Sequence, residues 1–533
     1  MRRRAIITAA AAAGLCLAAP AVHAQGAART LRFVPQAGLS SIDPIWGTQY
    51  VVRNAAALVW DMLYGIDSQF RPQPQMAEGH TVSDDGRVWT IRLREGLRFH
   101  DGEPVRGADV VASLERWMVR DPMGQLVRAL RQELAAPDDR TIRLSLAQPY
   151  PRLPLALGKQ GAPCAFIMPE RLARTDPFTE ITEAVGSGPM RFRGDLWEKG
   201  TRAVFERFAE YAPRQEPTDW LAGAKRVTVD RIEWIAHPEP AAAAAALQAG
   251  EVDWVETVLP DLAPALRRNR ALAVEIADPM GNLGALRFNH LHPPFDDVRA
   301  RRAVAMAADQ QDYMRAVVGA DDVLWRRSPS FFTPDTPLYS EAGGEILSGP
   351  RDLDGARRML AEAGLDGARV IMLAAEDVAP LKAMGEVTAG LLASLGFELE
   401  VVSGGWGSVA RRRARKDPPG EGGWNLFHTW HAGADCASPA GYTALRANGP
   451  DAWFGWPSDE RIEAHVAAWF AAGSQAEERA AVALLNAASM AHMTWVPTGL
   501  FMSYQAWRRA LSGVGKGPMP FFWGVTKTSP PFR

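Results

Sequence analysis

Catalysis in this chain of 533 residues would require a nucleophile with a base, a cluster of metal ligands or a phosphate cradle, and the residues of each type are weighed by their spacing. Gly186-Ser187-Gly188 has the small residues of a phosphate loop. Pro189 lacks the amide hydrogen a phosphate would accept, and no Gly-Lys-Ser/Thr follows, so the segment reads as a tight turn. Gly515-Lys516-Gly517 lacks the Walker spacing, and no G-x-S-x-G elbow occurs. His428 and His431 stand three apart and could share a helix face, but neither an H-E-x-x-H pattern nor a cysteine pair accompanies them. Asp296-Asp297 and Asp321-Asp322 are adjacent carboxylates, whose side chains diverge on most backbones, so solvated turns are expected. Arg411-Arg412-Arg413-Ala414-Arg415-Lys416 is the one basic run. Ahead of Pro418-Pro419 it reads as a solvated helix face, the alternative being that one arginine meets an anionic ligand. No catalytic residue, metal set or cofactor motif emerges, and the balance moves from catalysis to binding.

Composition agrees with that direction. The chain carries 59 basic and 61 acidic side chains, 47% hydrophobic and 23% charged residues, a soluble globular composition with roughly three domains' worth of length. Near-neutral charge gives no case for nucleic-acid binding. Met1 to Arg4 is basic, Ala5 to Ala19 is apolar, and Val22-His23-Ala24 offers small residues for cleavage, so 1–24 reads as a secretory signal. The apolar run is shorter than the about 20 residues a spanning helix needs. Arg2-Arg3-Arg4 leaves the twin-arginine route open. Cys16 lies inside the run after Leu15, which argues against a lipoprotein. Cys164 and Cys436 are expected to be separate buried thiols. Tryptophan is abundant, 18 against 8 tyrosines.

The elements that would position a site follow from periodicity. Leu31 to Val34 predicts a strand, and Val51 to Tyr64 a helix. Val88 to Leu93 and Thr141 to Leu146 alternate as half-buried strands, and Asp109 opens a helix from Val110 to Met118. Ala241 to Glu256 passes from an Ala-rich helix to a strand, with Gly250 as its stop. From Arg351 to Val402 the pattern predicts a helix ending at Gly364, a strand from Arg369, a helix from Pro380 to Leu395 and a strand from Phe397, a βαβ unit with a parallel pair. Ser474 and Glu477 form a capping box ahead of a helix to about His492.

Several of these segments together resemble one family. Residues 89–117, WTIRLREGLRFHDGEPVRGADVVASLERW, closely resemble the signature of the family 5 extracellular solute-binding proteins, the peptide and nickel-binding cluster of ABC importers. In family order follow SIDP at 41–44, GSGPMRF at 186–192, ALQAGEVDW at 246–254, FNHLHPPFDDVRARRAVAMAAD at 288–309 and ARRMLAEAGL at 356–365. The resemblance implies an α/β, periplasmic binding protein-like fold of three lobes, two closing on a cleft and an extra one packed on the first. It puts domain I at 25–65, 185–285 and 500–533, domain II at 66–184, and domain III at 286–499.

By the same resemblance, residues just after the S-x-D-P motif line the cleft, here Trp46, Thr48, Gln49 and Tyr50. Trp406 matches a tryptophan at the start of a helix in domain III. Trp430 matches the main recognition tryptophan, which in the family precedes by three residues an aspartate that pairs the peptide's α-ammonium. Here Asp435 stands five residues on, with His431 between them. The implied function is periplasmic capture of a small solute, a di- or oligopeptide first, and its delivery by a monomer to an ABC permease of the inner membrane. The alternatives are an opine, sugar or metal complex as solute, a secreted hydrolase, or a chaperone. Trp46, Trp406 and Trp430 are the tryptophans expected to face solute, and most others are expected in the core.

Overall fold

Strand Thr30–Val34 buries Leu31 and Phe33 on one face and Val34 at the end of the other, where Thr30 and Arg32 are half-buried, and it lies in the middle of a sheet. It pairs in parallel with Arg231–Ile235 on one side and Trp254–Val258 on the other. The seven-stranded sheet is completed by antiparallel Tyr504–Arg508 and Leu272–Ile276 at one edge and Arg202–Arg207 and Met190–Phe192 at the other. Phe33 packs its ring on Trp234, Trp254 and Phe522, with centroids 5.0 to 5.5 Å apart. Many of the tryptophans therefore serve as core: Trp60, Trp117, Trp234, Trp254, Trp424, Trp469 and Trp495 are fully buried. The computed structural model describes residues 29–528. The expected signal segment, with Cys16, lies outside the described residues.

A six-stranded sheet runs in the order Trp325–Arg326, Trp495–Phe501, Asn282–Phe288, Leu426–Ala432, Arg369–Ala375 and Glu398–Gly404. Its last two strands and helix Ala379–Ser394 form the expected βαβ unit, the strands being parallel. Helix Leu353–Ala363 stops at Gly364, whose φ of 68° is left-handed, a conformation glycine adopts without a side-chain clash. The smallest unit is an antiparallel sheet, Ala77–Val82, Val88–Leu93, Thr141–Leu146 and Arg131–Ala135. Helix Gly107–Arg120 packs on it, with the Asp109 carboxylate accepting from the Arg106 amide at 2.8 Å as a helix cap. Cys164 and Cys436 are separate buried thiols.

Two expected divisions fall inside strands. The cut at 285/286 lies within Asn282–Phe288 and the cut at 499/500 within Trp495–Phe501. Both strands pair along their length inside the six-stranded sheet, so the chain crosses between sheets before 282 and after 501.

The first helix also departs from expectation. It spans Tyr50–Val59, and Trp60 is already extended at φ −116° and ψ 155°, with Tyr64 in strand Tyr64–Ile66. The cause is a distant contact. The Gly186-Ser187-Gly188 turn lies against the helix end, where the Gly188 amide donates to the Val59 carbonyl at 2.8 Å. Trp60 Nε1 donates to the Val185 carbonyl at 2.9 Å. A Cβ at Gly186 or Gly188 would collide with the Val59 or Leu58 backbone, so these glycines serve close approach rather than phosphate binding.

The loop that enters this helix is fixed from the small sheet's side. Asp43, fully buried, takes a two-pronged bond from Arg116 of helix Gly107–Arg120, at 3.0 Å to Oδ1 and 2.7 Å to Oδ2. The same carboxylate accepts the amides of Ile45, Trp46 and Ile181 at 2.9, 3.1 and 2.9 Å. The aspartate of the SIDP motif thus acts as a framework clamp for the residues that follow.

Candidate functional site

Helix Tyr50–Val59 and the residues before it face the ends of strands from the six-stranded sheet across a cavity of about 760 Å³, its solvent-open mouth included. A second space of about 1190 Å³ adjoins it, the two sharing Gln36, Tyr50, Val378 and Trp430. Thr48, Gln49, Tyr50, Trp406, Trp430, His431 and Asp435 all line the first cavity. Trp46 does not. It lines a neighbouring groove with Arg120 and Phe178, because its amide is tied to Asp43 and its carbonyl accepts from Arg120 at 3.1 Å.

Trp430, half-buried near the end of strand Leu426–Ala432, borders both spaces with its ring 5.9 Å from Phe501. Trp406 begins helix Trp406–Arg412, its amide donating to Asp377 at 2.6 Å. His428 and His431 lie on a strand, where residues three apart point to opposite faces, so the shared helix face is corrected. His428 bonds Thr388 at 2.7 Å. His431 sits among Tyr442, Trp453 and Trp495, and burial holds its pKa down to about 3, helped by Arg287 and Arg413. Among the described residues no group of three or more His, Cys, Asp or Glu is placed to hold a metal ion.

Asp435 is buried at the head of the turn Asp435–Ala437. Its Oδ2 accepts from Tyr50 Oη at 3.0 Å and lies 3.9 Å from Arg53 Nη1. Tyr50 Oη in turn accepts from the Ala432 amide at 2.6 Å, so one hydroxyl joins the helix to the facing strand. Burial raises the Asp435 pKa, with Arg53 and then Lys159 opposing it. The two extra residues between Trp430 and Asp435 are absorbed in a turn at Gly433, whose amide donates to Gly281 at 2.7 Å. A Cβ there would strike the Met280 carbonyl. The altered spacing therefore leaves Asp435 on the same cavity as Trp430.

Comparison with known proteins decides the family. The profile of the bacterial extracellular solute-binding proteins, family 5 Middle, matches residues 71–449. The chain belongs to that family. It is 33% identical, over 98% of its own length and 99% of the other's, to a probable peptide ABC transporter periplasmic-binding protein of Sinorhizobium fredii (strain NGR234). Among solved structures it resembles the periplasmic binding protein DppA from Helicobacter pylori in complex with the peptide STSA, with a TM-score of 0.77, 20% identity, and 93% and 98% of the two chains covered. The same TM-score of 0.77, identity of 20% and coverage of 93% and 98% hold for AgaA from A. tumefacien R10 in complex with agropinic acid. The fold is thus the multidomain α/β fold of periplasmic binding proteins.

Further charged residues of this solute-binding protein's cleft are Arg53, Glu256, Asp278, Asp377 and Arg413, of which the sequence offers only Arg413, as one member of the basic run. Arg413 does carry a signal, since Trp406, Val409 and Arg413 are spaced by three and four and so share one helix face. Glu256 and Asp278 come from chain crossings and have none. Half-buried Glu256 accepts from the Gln36 amide at 2.8 Å and Asn54 Nδ2 at 3.3 Å. Burial pushes its pKa up to about 7, against the Gln36 amide and Arg53. Buried Asp278 rises to about 6, chiefly by burial, and its Oδ2 has no hydrogen-bond partner.

A pH dependence of stability follows. A carboxyl with a raised pKa keeps its proton in the folded state after the unfolded chain has lost it, so its stability contribution falls as pH rises through that window. For Glu256 the window runs from the ordinary value of 4.5 to about 7. Its full size is at most about 3 kcal/mol, reduced by the water that reaches the cleft wall. His428 and His431, held near 3 by burial, act in the opposite sense below their unfolded pKa, so the difference between variants is the clean quantity. Glu256→Gln should gain stability relative to wild type between pH 5 and 7.5 in urea titrations and stay level above pH 8. A difference that does not change with pH would contradict the assigned shift.

Proposed function

We propose that this protein is the periplasmic, soluble and monomeric solute-binding component of an ABC importer, exported through a cleaved signal and not lipid-anchored. Its solute in this reading is a di- or oligopeptide, captured in the cavity between the lobe of the seven-stranded sheet and the lobe of the six-stranded sheet. The observation that carries this is the pairing of aromatic walls, Trp406 and Trp430, with a buried carboxylate, Asp435, on one cavity. Apolar clefts with a few directed polar groups are the usual form of a small-molecule site.

The α-ammonium is assigned to Asp435, with Tyr50 orienting the carboxylate. Thr48, Gln49 and His431 supply further polar contacts, and Trp406 and Trp430 the walls. Trp46 is set aside as a solute contact. Closure is assigned to Tyr50, whose bonds to Ala432 and Asp435 exist only when the two lobes meet. The third lobe, with the four-stranded sheet, acts as framework through Arg116 and Asp43. No helix among the described residues is long and apolar enough to cross a membrane, so delivery falls to a separate permease. The relative named for peptide transport supports the peptide reading. The fold shared with an agropinic acid complex keeps opines as the second reading.

Pooled di- to pentapeptides should raise the melting temperature of the purified protein. Binding only the folded state at a hundredfold excess over Kd is worth about 2.7 kcal/mol. A shift with agropinic or mannopinic acid and none with peptides would replace the solute and keep the capture role. Absence of a shift with either class would count against capture itself.

A further inference from the structure

The lobe built on the six-stranded sheet contains three buried arginines whose charge meets no carboxylate at bonding distance among the described residues, and two of them are satisfied by backbone. Arg287 donates to the carbonyls of Phe454, Ala444 and Trp453 at 2.7, 2.9 and 3.3 Å. Arg301 donates to the carbonyls of Phe295, Asp296, His492 and Met493 at 2.7 to 3.2 Å. Both are structural cations.

Arg413 differs. It is 3% exposed, yet its guanidinium makes one hydrogen bond among the described residues, from Nη2 to Thr48 Oγ1 at 3.3 Å, and its buried Nε has no partner. Four rings surround the guanidinium, those of Phe454, Trp406, Trp453 and Phe427, with centroids 4.6 to 5.6 Å away. Ring faces stabilise a cation but accept no in-plane N–H bond, so most of the five donors of this fork remain available. A desolvated cation in that condition is costly unless an acceptor completes it. Burial alone pushes its pKa down to about 9, which leaves it charged at neutral pH.

Arg413 lines the proposed solute cavity, as do Thr48 and Asp435. Thr48 Oγ1 accepts from both Arg413 Nη2 and Trp453 Nε1 at 3.3 Å, so its own hydroxyl hydrogen is free to donate to whatever Arg413 binds. We infer that Arg413, held in its aromatic cage with Thr48 beside it, is the subsite for a carboxylate of the solute. A single fork matches one carboxylate in two-pronged geometry. With Asp435 on the same cavity, the site presents one anion and one cation, the complement of a zwitterion such as a short peptide. The inference rests on the solute-capture reading and specifies the chemistry of the solute.

The test presents one mixture, di- to pentapeptides from a casein digest with added mannopinic and agropinic acids, as free acids and as methyl esters. Solute retained by the protein is quantified by native mass spectrometry. Wild type should retain free acids and lose about tenfold to a hundredfold in retention on esterification, the range of a charge-assisted bond. Arg413→Gln should bind free acids as weakly as wild type binds esters and no longer separate the two, and Arg413→Lys should fall between.

Undiminished preference for free acids in a folded Arg413→Gln would overturn the subsite while leaving peptide capture intact. Retention of the opines alone, lost in Arg413→Gln, would remove peptides and keep the subsite. Retention of nothing by wild type would defeat both. Should Arg413→Gln fail to fold, the wild-type ester comparison and Arg413→Lys decide, and equal binding of acids and esters would reject the inference.

Discussion

Replacing Arg116 by methionine is expected to cost about 3–5 kcal/mol, because it leaves the Asp43 carboxylate charged, buried and without its counter-ion. Arg116 and Asp43 are 1% and 0% exposed, so no water replaces the lost bonds. Arg116 also donates to the Thr175 and Thr179 carbonyls at 3.0 and 2.9 Å, which lose a partner as well. A chain of several lobes need not unfold in one step, so the quantity to follow is the earliest transition in a urea titration. Arg369→Met is the matched control. Its partner Glu400 sits on the surface, the two side chains being 67% and 44% exposed, and such a pair is worth about 1 kcal/mol at most. Equal effects of the two substitutions would show that the buried clamp carries no special weight. Because Asp43 also fixes the amides of Ile45 and Trp46, Arg116→Met should weaken solute binding too, while Arg369→Met should leave it unchanged.

The second large effect is on affinity. Trp430→Ala should weaken binding of the tightest peptide from the pooled screen at least about thirtyfold, the level of a buried tryptophan at the centre of an interface. Trp430 borders both halves of the cleft, and its half-buried ring leaves little cavity in the protein itself when removed. Trp46→Ala, in the neighbouring groove, should change affinity less than about threefold. Calorimetric titration of both variants checks the pair. A larger loss at Trp46 than at Trp430 would reverse the assignment of the walls.

Much of the fold was legible in the sequence where local signals and tertiary packing agree. Strand Thr141–Leu146 and helix Leu353–Ala363 with its Gly364 stop fall where the pattern predicted them, because alternation and a left-handed glycine are local properties. Helix Tyr50–Val59 is shorter than its pattern predicts because the contact that ends it comes from Gly188, far along the chain. Only a fold can supply that information. The spacing of His428 and His431 leaves their element open, since three residues apart means one face on a helix and opposite faces on the strand they occupy.

At the site, seven of the eight residues carried over by resemblance share one cavity, and the exception, Trp46, is drawn aside by Asp43 and Arg120. What the sequence concealed was charge. A run of basic residues ordinarily faces water, and Arg411, Ala414, Arg415 and Lys416 do. Arg413 turns inward because it shares a helix face with Trp406 and Val409, a pattern that the surrounding arginines mask. Glu256 and Asp278 meet the cleft only because separate strands bring their ends together.

Native mass spectrometry of protein isolated from the periplasm without denaturation tests most directly the claim that this chain encloses a small solute between two lobes. The expected result is a bound species of di- to pentapeptide mass, carrying a free amine and a free carboxylate, released on unfolding and absent from Trp430→Ala prepared in the same way. Wild-type protein that binds no small solute, either as isolated or after exposure to the peptide pool, would contradict it. So would a solute retained equally by Trp430→Ala.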